Sequence, residues 1–232
     1  MILTQTPCAA ERSVRVRPRS TEQPGKHATC THKSAVTGHL LLVLLGGSVL
    51  VTSVLAQPET PPHALSVPVD VSKEFSPSGF MGDGEKGSRN VNVQLVSDEH
   101  CRPNGDDRRC LKVSYSPGAI GWAGVYWLRG DGNWGDRAGV GIRNATKLVF
   151  WAAGDRGGEF IEFKSGGVTG KLYRDTFEVS TGTRALTREW KRYELDVKGQ
   201  KLSNVVGAFA WVATASANPG GVTFYLDGIR FE

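Results

Sequence analysis

Residues 221–232 read GVTFYLDGIRFE. Val222, Phe224 and Leu226 alternate there with Thr223, Tyr225 and Asp227, a period of two that puts one set of side chains on each face of a strand. The stretch 192–197 repeats the pattern, with Tyr193, Leu195 and Val197 against Arg192, Glu194 and Asp196. Working outward, short runs rich in β-branched and aromatic residues recur at 90–96, 110–115, 124–128, 147–152, 160–164 and 205–213, divided by Gly, Asn and Asp. Such spacing predicts an all-β protein, an antiparallel two-sheet β-sandwich of the jelly-roll kind. No helix-period stretch is seen in this part of the chain, although 183–189 reads as one helical turn or a loop.

The chain has 232 residues, enough for one domain with a real core, and 22% charged residues. Its net charge of +5 raises a nucleic-acid reading, which the charge distribution removes. Arg12, Arg15, Arg17, Arg19, Lys26 and Lys33 against Glu11 and Glu22 put +4 in residues 1–56, leaving +1 for the rest. Phosphate binding rests on basic surface charge, so no nucleic-acid partner is expected.

The basic segment reads as a targeting sequence. LLLVLLGGSVLVTSVL at 40–55 is uncharged, shorter than a spanning helix, and ends in Val54-Leu55-Ala56 before Gln57. A secretory signal over 1–56, cleaved near Ala56-Gln57, is expected, placing the mature domain outside the cell or in the periplasm and off the membrane. An uncleaved N-terminal anchor is the alternative. The length of the stretch before the apolar run also suggests that translation starts downstream of Met1. Residues 57–66 read as a Pro-rich linker and 67–232 as the domain. Cys101 and Cys110, the two cysteines that remain, flank a polar stretch containing Asn104-Gly105. In an oxidising compartment they are expected to form a disulfide stapling a hairpin or loop.

All six Trp follow residue 56, and three of them fall in GWAGVYWLRGDGNWGD at 121–136. Sugars present apolar C–H faces rimmed by hydroxyls, which suit flat rings beside hydrogen-bonding side chains. Trp134, with one of Tyr126 or Trp127, is expected to stack on sugar rings, since adjacent strand residues face opposite sides. Trp151 is a further candidate; with Leu148, Phe150 and Ala152 in the core it would face outward. Trp190 and Trp211 read as core. Asn133, Asp136, Glu159 and Glu162 are the hydrogen-bonding candidates. Glu159 and Glu162, three apart, fall on opposite faces of a strand and cannot flank one glycosidic bond. With His63 and His100 the only histidines left, neither a Ser-His-Asp triad nor a multi-histidine metal site is supported. Arg129-Gly130-Asp131 is read as a chance adhesion tripeptide, and Asn144-Ala145-Thr146 as a glycosylation sequon relevant only in a eukaryotic host.

FSPSGFMGDG (75–84), GVYWLRGDGNWGD (124–136), ATKLVFWAAGDRGGEFIEF (145–163), LTREWKRYELDV (186–197), VVGAFAWVA (205–213) and GVTFYLDGIRFE (221–232) together give the chain its likeness. It resembles the β-sandwich (jelly-roll, galactose-binding-like) carbohydrate-binding modules found with bacterial polysaccharide-degrading enzymes. The resemblance implies a monomeric, non-catalytic module that binds a polysaccharide or oligosaccharide and works beside a degrading enzyme. It also implies a structural Ca²⁺ on Asp227, with Asp83 as a partner, although Gly228 stands where many such modules carry a second Asp. A sandwich-fold glycoside hydrolase or lyase, and a cell-surface structural or adhesion module, are the two other readings.

Overall fold

The computed structural model describes residues 63–85, 89–98 and 109–232. The signal and anchor readings at 1–56 lie outside the described residues, as does Cys101. In chain order the elements are β1 (Ala64–Ser66), β2 (Val69–Asp70), α1 (Val71–Glu74), β3 (Ser76–Gly82), α2 (Arg89–Asn92), β4 (Val93–Asp98), β5 (Cys110–Tyr115) and β6 (Trp122–Leu128). They continue with β7 (Gly141–Arg143), β8 (Lys147–Gly154), β9 (Phe160–Gly166), β10 (Glu178–Ala185), β11 (Lys191–Asp196), β12 (Gly207–Thr214) and β13 (Val222–Phe231).

Two antiparallel sheets pack face to face, as the alternation at 192–197 and 222–227 predicts. One has the order β10-β9-β12-β6-β3, the other β11-β8-β13-β5-β4, with β2 added beside β13. Between them lies the aromatic core. Phe150 and Phe163 sit 4.6 Å apart, Phe209 meets Phe150 at 5.0 Å, and Trp211 packs edge-on against Phe224 at 5.5 Å. Rings of this size supply most of the apolar area that folding removes from water.

The local exceptions have physical causes. β3 contains Pro77, Gly79 and Gly82 and carries no strand signal of its own. It forms because it is an edge strand, where Pro need not donate to a second neighbour. β10 is equally hidden in sequence, because an edge strand with mostly exposed side chains shows no apolar alternation. It ends at Ala185, so the helical turn offered for 183–189 does not form. Residues 90–92, expected to be strand, belong to the short turn α2. The domain also begins earlier than expected: β1, assigned to the linker, pairs in parallel with β7.

Candidate functional site

The outer face of the five-stranded sheet is built by strand register. Met81, Gly124, Val212, Glu162 and Thr183 are successive partners on β3, β6, β12, β9 and β10, so they form one row across the sheet. Gly79, Tyr126, Ala210, Lys164 and Ser180 form the next row. Side chains two apart share a face. Trp122 and Phe160 therefore stand one step beyond the first row, where Trp122 faces Thr214 and Phe160, 42% exposed, faces Ala185. Most of the second row is closed off, with Gly79, Tyr126 and Ala210 buried beside Val168 and Val206 under Met81 and Trp134. The open floor is therefore the first row from Met81 to Thr183, between Trp122 and Phe160 on one side and Trp134 on the other. Five strands spaced by about 4.8 Å make this row roughly 19 Å long, a shallow trough between the flanks.

Trp134 forms the other flank. It lies in the loop after β6, half-buried, and meets the Tyr126 ring edge-on at 5.7 Å. Gly79 is what lets it settle there. A Cβ at that position would meet Tyr126 Cβ at 2.8 Å and the Trp134 ring at 3.0 Å. Tyr126 is only 6% exposed, and its hydroxyl donates to the Gly166 carbonyl at 3.0 Å. Burial, and then the nearby carboxylates Glu178, Asp175 and Glu162, push its phenol well above the ordinary value. Tyr126 supports Trp134 from beneath instead of offering its own face.

A second loop, between β9 and β10, backs this flank. Lys171 Nζ donates to both oxygens of Asp136, at 2.7 and 2.6 Å, and Tyr173 N donates to Gly135 O at 3.2 Å. Inside the loop the buried Asp175 carboxylate accepts from Val168 N at 2.9 Å, Val206 N at 2.6 Å and Gly207 N at 3.3 Å. Burial lifts its pKa to about 6 despite those three donors. The polar groups of the floor are paired as well. Glu162 accepts from Ser180 Oγ at 2.5 Å, and Lys164 is ion-paired with Glu178. An extended surface of half-exposed rings and paired polar groups suits a neutral, polyhydroxylated chain.

The sequence candidates divide clearly. Trp134, Asp136, Glu162 and Tyr126 belong to this face or its wall. Trp127 does not: at 2% exposure it is turned between the sheets, packed against Phe209 at 5.2 Å. Both members of the Tyr126–Trp127 pair are buried, because loops cover the outer side of β6 as the second sheet covers the inner. Asn133 is a correction too. Its Nδ2 donates to the carbonyls of Arg129 and Arg137, and its Oδ1 accepts from the amides of Gly135 and Arg137. The side chain staples the loop that presents Trp134 and has no capacity left for a ligand. Glu159 is 6% exposed, with Oε1 accepting from Arg156 N at 2.8 Å and Oε2 held against Gly154. It lies at a turn, off the trough. Trp151 is half-buried on the outer face of the other sheet, with Leu148, Phe150 and Ala152 in the core.

The expected cation pair does not come together either. Asp83 accepts from Tyr115 Oη at 2.9 Å and from the amides of Gly118, Ile120 and Gly121 at 2.8, 2.8 and 3.1 Å. Those are donors, the opposite of what surrounds a Ca²⁺ ligand. Asp227 lies beyond the far end of β5: Val222 pairs with Tyr115, Leu226 with Leu111, and Asp227 follows. Four strand residues span roughly 13 Å, so the two carboxylates cannot share one ion. Among the described residues no group of three His, Cys, Asp or Glu is gathered for a metal. Ca²⁺ on Asp83 and Asp227 does not fit this chain.

Trp122, Phe160, Lys164, Ser180, Thr183 and Lys171 are the face residues that sequence reading passed over. Alternation alone held a signal for Phe160 and Lys164, since Ile161 and Phe163 between them are core. The rest depend on which strands become neighbours.

The fold and the trough together describe a β-sandwich with a shallow aromatic-flanked face. No family model matches the chain, and no curated protein matches it. Among solved structures, a family 30 carbohydrate-binding module is 15% identical, covers 72% of this chain and 98% of its own, and has a TM-score of 0.47. A family 11 module from Clostridium thermocellum, solved in complex with a β-1,3-1,4-mixed-linked tetrasaccharide, is 16% identical, with coverage of 66% and 94% and a TM-score of 0.39. With TM-scores below 0.5, the function rests on the residues of the face itself.

Proposed function

We propose that this protein is an exported, non-catalytic glycan-binding module that holds a neutral polysaccharide chain along the trough, across the strands of the five-stranded sheet. The observation that carries the reading is the placement of Trp122 and Phe160 on one side of the Met81–Thr183 row and Trp134 on the other. Such flanks offer ring faces to sugar C–H groups, while Glu162, Lys164, Ser180 and Thr183 offer hydrogen bonds to hydroxyls. The apolar run at 40–55 supports export. Glu162 and Glu178, the carboxylates nearest the floor, are each already bonded to a neighbour, which favours holding over cleaving. We place it as a monomer working beside a polysaccharide-degrading enzyme.

Affinity electrophoresis against hydroxyethylcellulose, mixed-linkage β-glucan, α-glucan, xylan and galactomannan tests the reading. At least one neutral polymer should retard the protein, and polyuronates should not. Trp134→Ala and Trp122→Ala should each weaken binding about threefold to tenfold, the worth of one stacked ring. Retardation by none of the neutral polymers, or release of reducing ends from them, refutes it.

A further inference from the structure

The outer face of the six-stranded sheet carries its own aromatic group, unrelated to the trough. Trp151 on β8 lies in register between Arg192 on β11 and Asp227 on β13. One step along, Tyr225 lies between Ala153 and Lys112, with Val96, 49% exposed, next to Lys112 at the sheet edge. Trp190, expected in the core, instead lies just before β11 with its ring half-exposed and its centre 6.3 Å from that of Tyr225. Lys112 Nζ stands 5.9 Å from the centre of the Tyr225 ring, and Tyr225 Oη donates to Asp155 at 2.9 Å. Core packing does not require these indoles, since the inward positions of β8 and β13 are filled by Phe150, Ala152, Phe224 and Leu226.

From this arrangement we infer a second carbohydrate contact surface, in which Trp151 and Trp190 stack on a second neutral glycan chain on the side of the molecule opposite the trough. The local charge selects the class of ligand. Arg192 is ion-paired with Glu194 and Glu232, and Lys112 stands by the Tyr225 ring with Asp155 and Asp98 close to it. The patch therefore holds no surplus of positive charge to draw nucleic acid or a polyuronate. Its rings are separated by charged side chains instead of merging into the continuous apolar area of a protein interface. Flat rings interleaved with hydrogen-bonding groups are the chemistry of a sugar site. The inference takes its ligand class from the trough reading but rests on different residues. Two opposed faces would make a single domain bivalent, able to bridge neighbouring chains of a polymer.

Titration with cellohexaose, xylohexaose and mannohexaose by calorimetry tests it, followed by light scattering in dilute mixed-linkage β-glucan. The wild type should bind two oligosaccharides per chain and cross-link the polymer. The double variant Trp151→Ala/Trp190→Ala should bind one, with the remaining affinity unchanged and cross-linking abolished. Trp122→Ala/Trp134→Ala should lose the other site. In the unmodified protein, the indole N–H resonances of Trp151 and Trp190 should shift on saturation, which guards against a folding defect in the variants. One site per chain, untouched by the Trp151/Trp190 pair and with those resonances still, overturns the second surface and leaves the trough standing. One site lost only with Trp151 and Trp190 overturns the trough and upholds the second surface. Binding of no probe overturns both.

Discussion

Replacing Asp83 by alanine tests whether a buried carboxylate, and not an ion, holds the end of the sandwich that presents Trp122. Its oxygens accept four hydrogen bonds, from Tyr115 Oη and the amides of Gly118, Ile120 and Gly121. Its own amide donates to the Trp122 carbonyl at 2.8 Å. The variant orphans four donors in a site only 3% exposed. At about 1 kcal/mol net for each, the loss is about 3–5 kcal/mol, with water recovering part of it. For a domain of this size that lowers Tm by about 10 °C. Asp83→Asn should do little better, because the amide nitrogen points another donor at existing donors. Burial raises the Asp83 pKa, but the donors outweigh it and hold the carboxyl below its usual range. A folded pKa below the unfolded value of about 3.9 means that this stability is present above pH 4. It is lost as pH falls through the folded value. The gap in Tm between wild type and Asp83→Ala, measured by calorimetry from pH 7 to pH 3, should therefore narrow only below pH 4. A penalty under about 1 kcal/mol at pH 7 would refute the reasoning. So would a Tm of the wild type that rises with added Ca²⁺ while that of Asp83→Ala does not.

Asp175 should behave with the opposite sign. Its pKa, raised by burial to about 6 from 3.8 in the unfolded chain, gives a contribution present in full below pH 3.8 and lost as pH rises through 6. Relative to Asp175→Asn, wild-type stability should climb by up to about 3 kcal/mol as pH drops from 7 to 4. A flat difference would count against this burial. Gly79→Ala should displace Trp134 and Tyr126, weakening glycan binding about tenfold, while the distant core signals in near-ultraviolet circular dichroism stay put. The disulfide expected between Cys101 and Cys110 is not formed in the structure: Cys110 is buried in register with Asp98 across the β4–β5 hairpin, and its thiol donates to the Asp98 carbonyl at 3.8 Å. Denatured without reductant, the protein should therefore show Cys110 reactive to a thiol reagent, and protection lifted only by reduction would count against this geometry.

The fold was legible because alternation is local. Tyr193–Leu195–Val197 and Val222–Phe224–Leu226 show their buried faces without knowledge of any partner strand, and Trp211 reads as core from its apolar run. Edge strands escape this logic. β3 and β10 bury one weak face or none, so Pro77, Gly79 and the polar run of β10 look like turns until neighbours are known.

The candidate site was legible only where loop chemistry marks it. Trp134 stands out among Gly, Asn and Asp, and it does lie on the trough. Asn133 beside it looks identical in sequence but spends all its hydrogen bonds on its own loop. Glu159 and Glu162 are both carboxylates of GGEFIEF; one is sealed in a turn and the other lies on the floor.

The sequence by itself determined that the chain forms a β-sandwich, that its positive charge belongs to the first 56 residues, and that three of its six Trp crowd into residues 121–136. Tertiary structure alone decided which aromatics share a face. Trp122, Phe160 and Trp134 flank one trough because β3, β6, β12, β9 and β10 are neighbours, and Trp151 is sent to the opposite side with β8. Face and strand order arise from contacts between residues far apart in the chain, which no local period encodes.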